Sequence, residues 1–436
     1  MGRNLSGLLK GSLAGPRLEL LHLLAYQASM LRMPLFLVGG VVRDILLSSP
    51  VNDFDLVLEG NSAQFAEYIV RKFGGKIRIH SKFGTATWIP NESTFKRLNV
   101  PVFQNPTSVI SFDLISARAE TYEYPGALPT VTRSNVEDDL RRRDFTINAI
   151  AIRLDGDPFG ELHDPMNGEI DLAAGLIRVL HDRSFVDDPT RIFRAVRYAV
   201  RYGFEIALET SHLMNDEVRN ILSQLSGERV RHEFDLIFEE INPADMLERL
   251  KSLGLLKWVH PALQAVDGNR LAVSMDKPGE EFGEFTAPDL LSFRQTLGWV
   301  LYLLNLNGSD IEAVGRRLAF PALLIKTARE ASILQQELPA FWAWRPSQWT
   351  FRLDETPPLA VYAVWLVTSQ TSLKEYLTTW RQIRPYTSGY TLQQRGLVPS
   401  PQFREILTRL RAAWLDGEVS TQEQEEMMLK GLIRQN

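Results

Sequence analysis

Residues 36–58 read FLVGGVVRDILLSSPVNDFDLVL, and their pattern predicts two strands and a helix in the first part of the chain. The opening apolar run stops at Gly39 and Gly40, and a helical pattern follows the two glycines. A second apolar run, typical of a strand, begins with the triplet Asp-Phe-Asp. The pattern therefore predicts a strand, a glycine turn, a short helix and a second strand, in that order.

Two carboxylates open the second predicted strand. Side chains alternate along a strand, so Asp53 and Asp55 should project on one side and Phe54 on the other. Adjacent carboxylates repel each other, and a divalent cation neutralises them most economically. The triplet therefore predicts a Mg²⁺ site, although an isolated Asp-x-Asp triplet is more often a solvated loop or a helix cap.

The glycine turn is suited to holding an anion. Gly39 and Gly40 carry no Cβ, so backbone N–H groups and the N-terminus of the next helix can approach a phosphate closely. Arg43 follows one helical turn later, within reach of a phosphate oxygen, and its alternative role is a surface pair with Asp44. A phosphate cradle followed by metal-binding carboxylates indicates a Mg²⁺–nucleotide site.

Composition limits the class of protein. The chain has 436 residues, a length that suggests roughly two to four domains. It has no cysteine, which excludes disulfides, thiolate zinc sites and cysteine nucleophiles. The N-terminal residues lack the continuous apolar segment of a signal peptide, and no apolar run is long enough to cross a membrane. We therefore expect a soluble, cytoplasmic protein with no membrane partner.

Charge is distributed unevenly. The net charge is −5, which argues against a general nucleic-acid-binding protein. Arginines nevertheless cluster at residues 141–143 and again at Arg191, Arg194, Arg197 and Arg201. A local basic region on an acidic chain suits an enzyme that binds one defined polyanion.

Residues 1–155 alternate helical and strand patterns and predict a mixed domain built on a sheet. Helices are expected at residues 18–31 and 62–72, and strands within residues 74–88 and 109–115. From Asp187 onward helical periodicity dominates. The pattern thus predicts a sheet-containing head followed by a long helical region.

A third carboxylate, Asp113, lies on the last of these predicted strands. Near Asp53 and Asp55 it could complete a metal site or accept a proton from an attacking hydroxyl. Its alternative role is an ordinary strand aspartate paired with Arg118.

The segment EDDLRRRDFTINA, residues 137–149, places acids before arginines and ends in a mixed apolar and polar stretch. The acids could cap a helix, and the arginines, Arg143 among them, could hold a triphosphate or a ribose. A charge run is usually a solvated face. Here Asp144 and the residues after it mix buried and polar types, which is less typical of plain surface.

A third segment begins at Asp187 and is expected to open a helix with Pro189 inside its first turn. Asp188 and Arg191 are three residues apart and share a face. An acceptor beside a donor matches the Watson–Crick edges of adenine and cytosine, whereas guanine and uracil present the reverse order. The alternative is an intrahelical ion pair. Further phosphate contacts at helical spacing could come from Arg194 and Arg197.

Three stretches, LVGGVVRDILL…NDFDLVLEG, DDLRRRDFTINAIAI and DDPTRIFRAVRYAVRYGFEI, resemble the signature blocks of the class II tRNA nucleotidyltransferase and bacterial poly(A) polymerase family. The resemblance is specific over about residues 35–205. It implies an α+β, polymerase-beta-like nucleotidyltransferase head with a mixed sheet, then an all-helical neck, body and tail. The expected bounds are 1–155 for the head, 156–230 for the neck, 231–330 for the body and 331–436 for the tail.

The resemblance also implies an activity: template-independent addition of C and A to the 3′ end of tRNA, from CTP and ATP, with Mg²⁺ and release of pyrophosphate. When the motifs of the family are matched to this sequence, Asp53 and Asp55 correspond to the metal-binding carboxylates. A larger set of residues corresponds to the nucleotide-binding positions. That set comprises Gly39, Gly40, Arg43, Arg143, Asp144, Asp188, Arg191, Arg194 and Arg197. The implied protein template is the pair Asp188 and Arg191.

Several activities remain open within this resemblance. Residues 124–129, YPGALP, fall where the family has a flexible loop that governs the switch from C to A addition, and they differ from several members. A CC-adding or A-adding specialist and a poly(A) polymerase are therefore alternatives. A catalytically silent RNA-binding protein is the alternative outside enzymes.

Overall fold

The computed structural model describes residues 3–13, 15–51, 54–80, 84–98, 110–273, 275–276, 279–285, 287–288 and 291–434. The chain forms two compact units, Met1–Gln224 and Leu225–Asn436. Within the described residues all named strands belong to the first unit, and the second is helical. The finer division into head, neck, body and tail remains a prediction.

A mixed sheet forms the centre of the first unit. The strands of the described residues are β1 (Leu35–Val38), β2 (Asp55–Leu58), β3 (Lys76–His80), β4 (Thr85–Ile89), β5 (Phe112–Ser116), β6 (Arg118–Thr121), β7 (Thr130–Arg133), β8 (Ala151–Arg153), β9 (Glu161–His163), β10 (Leu176–Ile177) and β11 (Glu205–Ile206). The main sheet has the order β3-β4-β5-β2-β1-β8-β9. β2 and β5 are parallel, whereas β1 is antiparallel to β2 and β8. The mixed-sheet head is therefore confirmed.

Helices surround this sheet and continue beyond it. In the first unit they are α1 (Ser6–Ser12), α2 (Pro16–Met30), α3 (Gly40–Leu46), α4 (Ser62–Phe73), α5 (Glu92–Leu98), α6 (Val136–Arg141), α7 (Gly168–Ala174), α8 (Ser184–Asp187), α9 (Arg191–Tyr202), α10 (Leu208–His212) and α11 (Asp216–Gln224). The cap of α4 shows why it begins where it does, because the Asn61 side chain accepts hydrogen bonds from the next turn's N–H groups. The helices predicted at residues 18–31 and 62–72 are confirmed.

Strand alternation separates two faces of the head sheet. Leu37, Leu56 and Leu114 join the larger apolar cluster with α1, α2 and α4. Their neighbours Val38 and Val57 face a smaller cluster on the other side. Since residues two apart share a face, the first residue of β2 projects on the smaller side. The helices therefore cover one face densely, and the other carries polar groups.

The predicted neck, residues 156–230, is helical apart from three short strands. β9 pairs with β8, so the head sheet continues past residue 155 to His163. β10 and β11 form a two-residue parallel pair. The helix expected to open at Asp187 begins at Arg191 instead, which corrects that prediction. The cause is the extended backbone of Asp188, with φ −139° and ψ 95°, which ends α8 and separates it from α9.

Among its described residues the second unit contains helices and no strand. Its helices are α12 (Gly227–Phe238), α13 (Pro243–Ser252), α14 (Leu256–Val259), α15 (Phe293–Leu303), α16 (Gly308–Arg317), α17 (Ala322–Glu337), α18 (Pro346–Leu353), α19 (Pro358–Thr368), α20 (Thr371–Thr378), α21 (Gly389–Gln394), α22 (Pro401–Leu415) and α23 (Gln422–Arg434). The helical region predicted after the head is confirmed. Among the described helices, none combines the length and apolarity that crossing a membrane requires.

Candidate functional site

One edge of the head sheet collects the residues that the sequence singled out. β1 ends at Val38, directly before the glycine turn. β2 begins at Asp55, and the parallel register pairs Asp55 with Asp113 of β5. The antiparallel register of β1 and β2 brings the glycine turn to the same edge. Backbone topology alone therefore places the glycine turn next to two carboxylates.

The two described carboxylates lie on neighbouring strands and on one face. Asp113 also accepts a hydrogen bond from Thr87 Oγ1 at 2.6 Å, which orients its carboxylate. Arg118, the alternative partner considered for Asp113, forms an ion pair with Glu120 at 3.1 Å. Asp53, the other predicted metal ligand, lies outside the described residues. Paired carboxylate oxygens are the donor set that Mg²⁺ prefers, so Asp55 and Asp113 fit this ion chemically.

Both the backbone conformation and the neighbouring side chains require a glycine at position 39. Its φ is +74°, in the region that favours glycine. A Cβ at this position would collide with the Arg143 guanidinium. The N–H of Gly39 donates to the carbonyl of Ile150 at 3.0 Å, which ties the turn to β8. The turn and the arginine of the second signature stretch therefore meet, as a shared nucleotide site requires.

Arg43 is enclosed by its own chain and is only 4% exposed. It bonds Asp44 Oδ1 at 2.9 Å and Asn148 Oδ1 at 2.5 Å. The rings of Tyr198 and Tyr202 lie 5.3 and 4.7 Å from its guanidinium carbon. The pair with Asp44 exists, but it is buried rather than a surface pair. The predicted phosphate contact of Arg43 is not tested by these distances.

The arginines of the second stretch share a buried acid. Asp139 is fully buried and accepts from Arg142 at 2.6 Å and from Arg143 at 3.0 Å. Burial alone would raise the pKa of Asp139, but the two guanidinium groups outweigh it and hold the pKa below its usual value. Asp139 therefore stays charged and fixes the direction of Arg143. The acids of this segment were predicted to cap a helix, whereas the side chain of Asn135 caps α6.

Asp144 connects the second and third stretches. Its Oδ2 accepts from Arg194 at 2.8 and 2.6 Å, and its Oδ1 accepts from Asn148 at 3.0 Å. The pKa of Asp144 is lowered because Arg194 and Asn148 outweigh the opposing effect of burial. A continuous chain of contacts therefore runs from Arg43 through Asn148 and Asp144 to Arg194. Asp144 and Arg194 hold each other here, and their predicted nucleotide contacts remain predictions.

Three residues of this network were not predicted from the sequence as functional residues. These are Asn148, Tyr198 and Tyr202. The two tyrosines are four residues apart on α9, so they share a face, and that spacing beside an arginine was the available signal. Asn148 lies within the motif that was quoted. Nothing in its local pattern indicates that it contacts a side chain 105 residues earlier.

Asp188 and Arg191 lie on either side of the start of α9. Asp188 Oδ1 accepts from the backbone N–H and the hydroxyl of Thr190, at 3.2 and 2.7 Å. Arg191 is 5% exposed and donates to Ser184 Oγ at 2.7 Å and to the carbonyl of Arg142 at 2.9 Å. Two of the five N–H donors of Arg191 are occupied by these bonds. The third stretch therefore reaches the second through the backbone of Arg142.

Arg197, the last predicted contact, is also buried, and its guanidinium carbon lies 5.7 Å from the Tyr198 ring. It lies on the same helix as Arg194 and Arg191. Three predicted arginines thus share α9 with the tyrosines that flank Arg43. The contacts of Tyr198 and Tyr202 with Arg43 bring α9 next to the helix that follows the glycine turn.

Two family profiles match the sequence. The profile described as "Poly A polymerase head domain" matches residues 35–178, and the one described as "Probable RNA and SrmB- binding site of polymerase A" matches residues 203–266. The first match contains the glycine turn, both described carboxylates and the second stretch. The second match lies almost entirely beyond residue 205, where the specific resemblance of the three stretches ends, and it extends into the helical region.

Whole-length relatives extend these matches. The A-adding tRNA nucleotidyltransferase of Halalkalibacterium halodurans is 34% identical over 430 residues, which are 96% of this chain and 93% of that protein. The solved apo structure of a CCA-adding enzyme has a TM-score of 0.80 at 28% identity and covers 98% of this chain and 99% of that chain. The Thermotoga maritima CCA-adding enzyme complexed with tRNA has a TM-score of 0.69 at 27% identity, with 99% of both chains covered.

Proposed function

This chain belongs to the class II tRNA nucleotidyltransferase family, and we propose that it adds AMP from ATP to tRNA whose 3′ end lacks only the terminal adenosine. The 3′-hydroxyl of the tRNA attacks the α-phosphorus, a new P–O bond forms, and the bond to the leaving pyrophosphate breaks. The observation that carries the proposal is the 34% identity with an A-adding tRNA nucleotidyltransferase over 96% of this chain, and the pair Asp188 and Arg191 would select the base. The tRNA substrate places the activity in the cytoplasm.

Base selection follows from the polarity of this pair. The amino group of adenine would donate to Asp188, and the adjacent ring nitrogen would accept from Arg191. A carboxylate accepts about four hydrogen bonds, so its two bonds to Thr190 do not exhaust Asp188. Guanine and uracil would place a carbonyl against the carboxylate and an N–H against the guanidinium. Each mismatched contact costs roughly 1–3 kcal/mol.

The carboxylates at the sheet edge would hold Mg²⁺. Asp55 and Asp113 are adjacent, project on one face and supply oxygen ligands, with Asp53 as the further predicted ligand. When bound, Mg²⁺ would make the 3′-hydroxyl a stronger nucleophile and neutralise charge on the pyrophosphate. Asp113 could alternatively accept the hydroxyl proton. Thr87 keeps the Asp113 carboxylate aimed in one direction in either role.

The triphosphate would lie along the glycine turn. The guanidinium groups of Arg143 and Arg43 both lie against this turn, the first at Gly39 and the second 3.3 Å from where a Cβ of Gly40 would be. Three of the five donors of Arg43 are used by Asp44 and Asn148. Fixed cations beside the backbone of a glycine turn can stabilise the charge that develops on a leaving pyrophosphate.

Adenosine is favoured over cytidine by two observations. The relative that matches nearly the whole chain by sequence is an A-adding enzyme. In addition, the segment that takes the place of the family's flexible loop forms the β6–β7 hairpin, and its tip donates a hydrogen bond from the Gly126 N–H to the carbonyl of Val186. A loop that is bonded in place is poorly suited to switch specificity between two nucleotides.

Full CCA addition is the second candidate. It is favoured by the solved CCA-adding enzyme, whose fold covers almost the entire chain with a TM-score of 0.80. The Asp188–Arg191 pair accepts cytosine by the same donor–acceptor order as adenine. Both candidates therefore use one site, and they differ in whether that site accepts CTP at the first two steps.

Three tRNA transcripts separate the candidates: one lacks CCA, one ends in C and one ends in CC. Each is incubated with Mg²⁺ and labelled ATP or CTP, singly and together, beside an unstructured RNA. We expect one AMP on the CC-ending transcript and far slower CMP addition on every transcript. The Asp55→Ala variant should bind the transcripts but add nothing.

Each other outcome identifies a different activity. Rapid CMP addition to the shorter transcripts followed by a single AMP would establish the full CCA enzyme. CMP alone would establish a CC-adding enzyme, and long A tails on the unstructured RNA would establish a poly(A) polymerase. RNA binding without incorporation by the wild-type protein would contradict the proposed function.

A further inference from the structure

The β6–β7 hairpin contacts Arg142 and α8, which supply the two groups that bind Arg191. β6 pairs with β7 from Arg118–Arg133 to Thr121–Thr130, and residues 122–129 form the tip. The hairpin bonds the side chain of Arg142, whose carbonyl binds Arg191, and the carbonyl of Val186, two residues after Ser184 on α8. The two connections start at different places on the hairpin, one on β6 and one at the tip.

Arg191 is held by two bonds in different directions. Its Nη1 donates to the Ser184 hydroxyl, and its Nη2 donates to the Arg142 carbonyl. A guanidinium is planar and rigid, so two bonds at separate nitrogens fix the orientation of the whole group. Ser184 belongs to α8, and Arg142 follows directly after α6. The position of the base-selecting donor therefore depends on these two short helices.

The first connection passes through Glu120 of β6. One of its carboxylate oxygens accepts from Arg142 Nη1 at 3.0 Å and from Arg118 at 3.1 Å. Its other oxygen accepts from the Tyr122 hydroxyl at 3.2 Å. The Glu120 side chain is 7% exposed, so its bonds are shielded from water. Glu120 thus holds the residue whose carbonyl binds Arg191.

The second connection is at the hairpin tip. The Gly126 N–H donates to the Val186 carbonyl at 3.1 Å, and Val186 lies on the same helical turn as Ser184. The tip itself is closed by a bond from the Ala127 N–H to the Tyr124 carbonyl. Gly126 has φ +73°, which a side chain would strain. The tip thus holds the helix whose hydroxyl binds Arg191.

Tyr122 lies close enough to the selecting pair to share its electrostatic field. Burial raises the pKa of Tyr122 to about 12, Arg191 opposes this, and both Glu120 and Asp188 reinforce it. The phenol is therefore protonated at neutral pH and can act only as the donor to the Glu120 carboxylate. Tyr122 connects the hairpin, Glu120 and the selecting pair in one half-buried cluster.

We propose that Glu120 and Tyr122 are positioning residues that determine nucleotide specificity, because they hold Arg191 in the single orientation that accepts adenine. Adenine and cytosine offer the same donor–acceptor order, but the edge of a purine lies farther from the sugar. A fixed guanidinium can meet only one of these edges, and a released one can meet both. The inference rests on the proposed function and extends it to the origin of the specificity.

The test compares substitutions within the hairpin in pairs. Glu120→Gln and Tyr122→Phe remove the charge and the hydroxyl of the cluster. Glu123→Gln and Tyr124→Phe make the same chemical changes at exposed positions of the same hairpin. The readout is the ratio of kcat/KM for ATP to kcat/KM for CTP on the CC-ending tRNA transcript. The ratio does not depend on the fraction of folded enzyme, so a loss of stability alone leaves it unchanged.

We expect Glu120→Gln to lower this ratio at least roughly tenfold and Tyr122→Phe to lower it less, because the Phe variant keeps the Glu120–Arg142 pair. The two control variants should stay within about twofold of wild type. An unchanged ratio in Glu120→Gln, with AMP addition by the wild type intact, would overturn this inference and leave the proposed function standing. Rapid CMP addition by the wild type to the shorter transcripts would overturn both.

Discussion

The guanidinium of Arg194 donates two hydrogen bonds to one oxygen of the buried Asp144 carboxylate, at 2.8 and 2.6 Å, across 50 residues of sequence. The other oxygen of Asp144 orients Asn148, and Asn148 binds Arg43. Helix α9 of the predicted neck is therefore connected through Asp144 and Asn148 to Arg43, which follows the glycine turn of the head. We therefore expect substitutions in these contacts to change both the stability and the activity of the protein.

Asp144→Asn should destabilise the protein by about 1.5–3 kcal/mol, the range of hydrogen bonds to charged groups. The amide keeps the shape of the carboxylate but cannot balance the charge of Arg194. Urea unfolding measures the loss as a lower midpoint. The control is Asp216→Asn, which removes an exposed pair with Arg219 and should cost less than about 1 kcal/mol. Equal midpoints for the two variants would show that the buried pair has no special role.

The lowered pKa of Asp144 predicts that the stability of the protein depends on pH. The pKa of Asp144 is lowered in the folded protein from an ordinary value of 3.8, so its charge stabilises the folded state at all pH values above that value. This stabilisation is lost as pH falls through the lowered folded pKa. The difference in urea midpoint between wild type and Asp144→Asn should therefore be constant from pH 7 to about pH 5 and shrink below pH 3.8. A difference that grows on acidification would refute the assignment.

Gly39→Ala should remove activity. The alanine would need a φ near +74° with a ψ near −131°, a backbone region that costs a non-glycine residue roughly 1–3 kcal/mol, and its methyl would displace the Arg143 guanidinium. We expect kcat/KM for ATP to fall at least roughly a hundredfold, because a nucleotide-binding cation moves from the turn. Gly7→Ala, on a helix with open space around it, should leave activity unchanged. Wild-type activity in Gly39→Ala would show that the turn does not hold the substrate.

Arg43→Lys should lower kcat/KM for ATP by roughly 100-fold although the charge is kept. Lysine cannot bond Asp44 and Asn148 together, and it lacks the planar group that packs between Tyr198 and Tyr202. Steady-state kinetics with variable ATP measures the effect. Arg78→Lys, at an exposed position on β3, is the matched control and should behave as wild type. Near-normal kinetics in the Arg43→Lys variant would mean that charge alone suffices.

Asp113→Asn distinguishes a metal ligand from a structural aspartate. If Asp113 holds Mg²⁺ or takes the proton, kcat should fall roughly 10³-fold. Thr87→Val removes only the hydrogen bond that orients Asp113 and should cost roughly tenfold. Glu92→Gln removes an exposed carboxylate of the same unit and should have no effect. A change of less than about threefold in Asp113→Asn would leave Asp55 and Asp53 as the metal ligands.

The order of the head elements could be predicted from the sequence because each depends on local rules. Alternating apolar residues predicted the strands that contain Asp55 and Asp113, and periodic ones predicted α4. The parallel register that makes those two aspartates direct neighbours could not be read from either strand. One local rule also failed: Pro189 and the acids before it resemble a helix start, but the helix begins at Arg191.

The sheet-containing head, the helical remainder, the glycine turn and the residue types of a nucleotide site could all be predicted from the sequence. These follow from backbone preferences and side-chain periodicity, which act over a few residues. The tertiary structure is needed to show which charges pair, such as Arg194 with Asp144 and Arg142 with Glu120. Buried charges need a partner within hydrogen-bonding distance, and residues far apart in sequence come that close only when the whole domain packs.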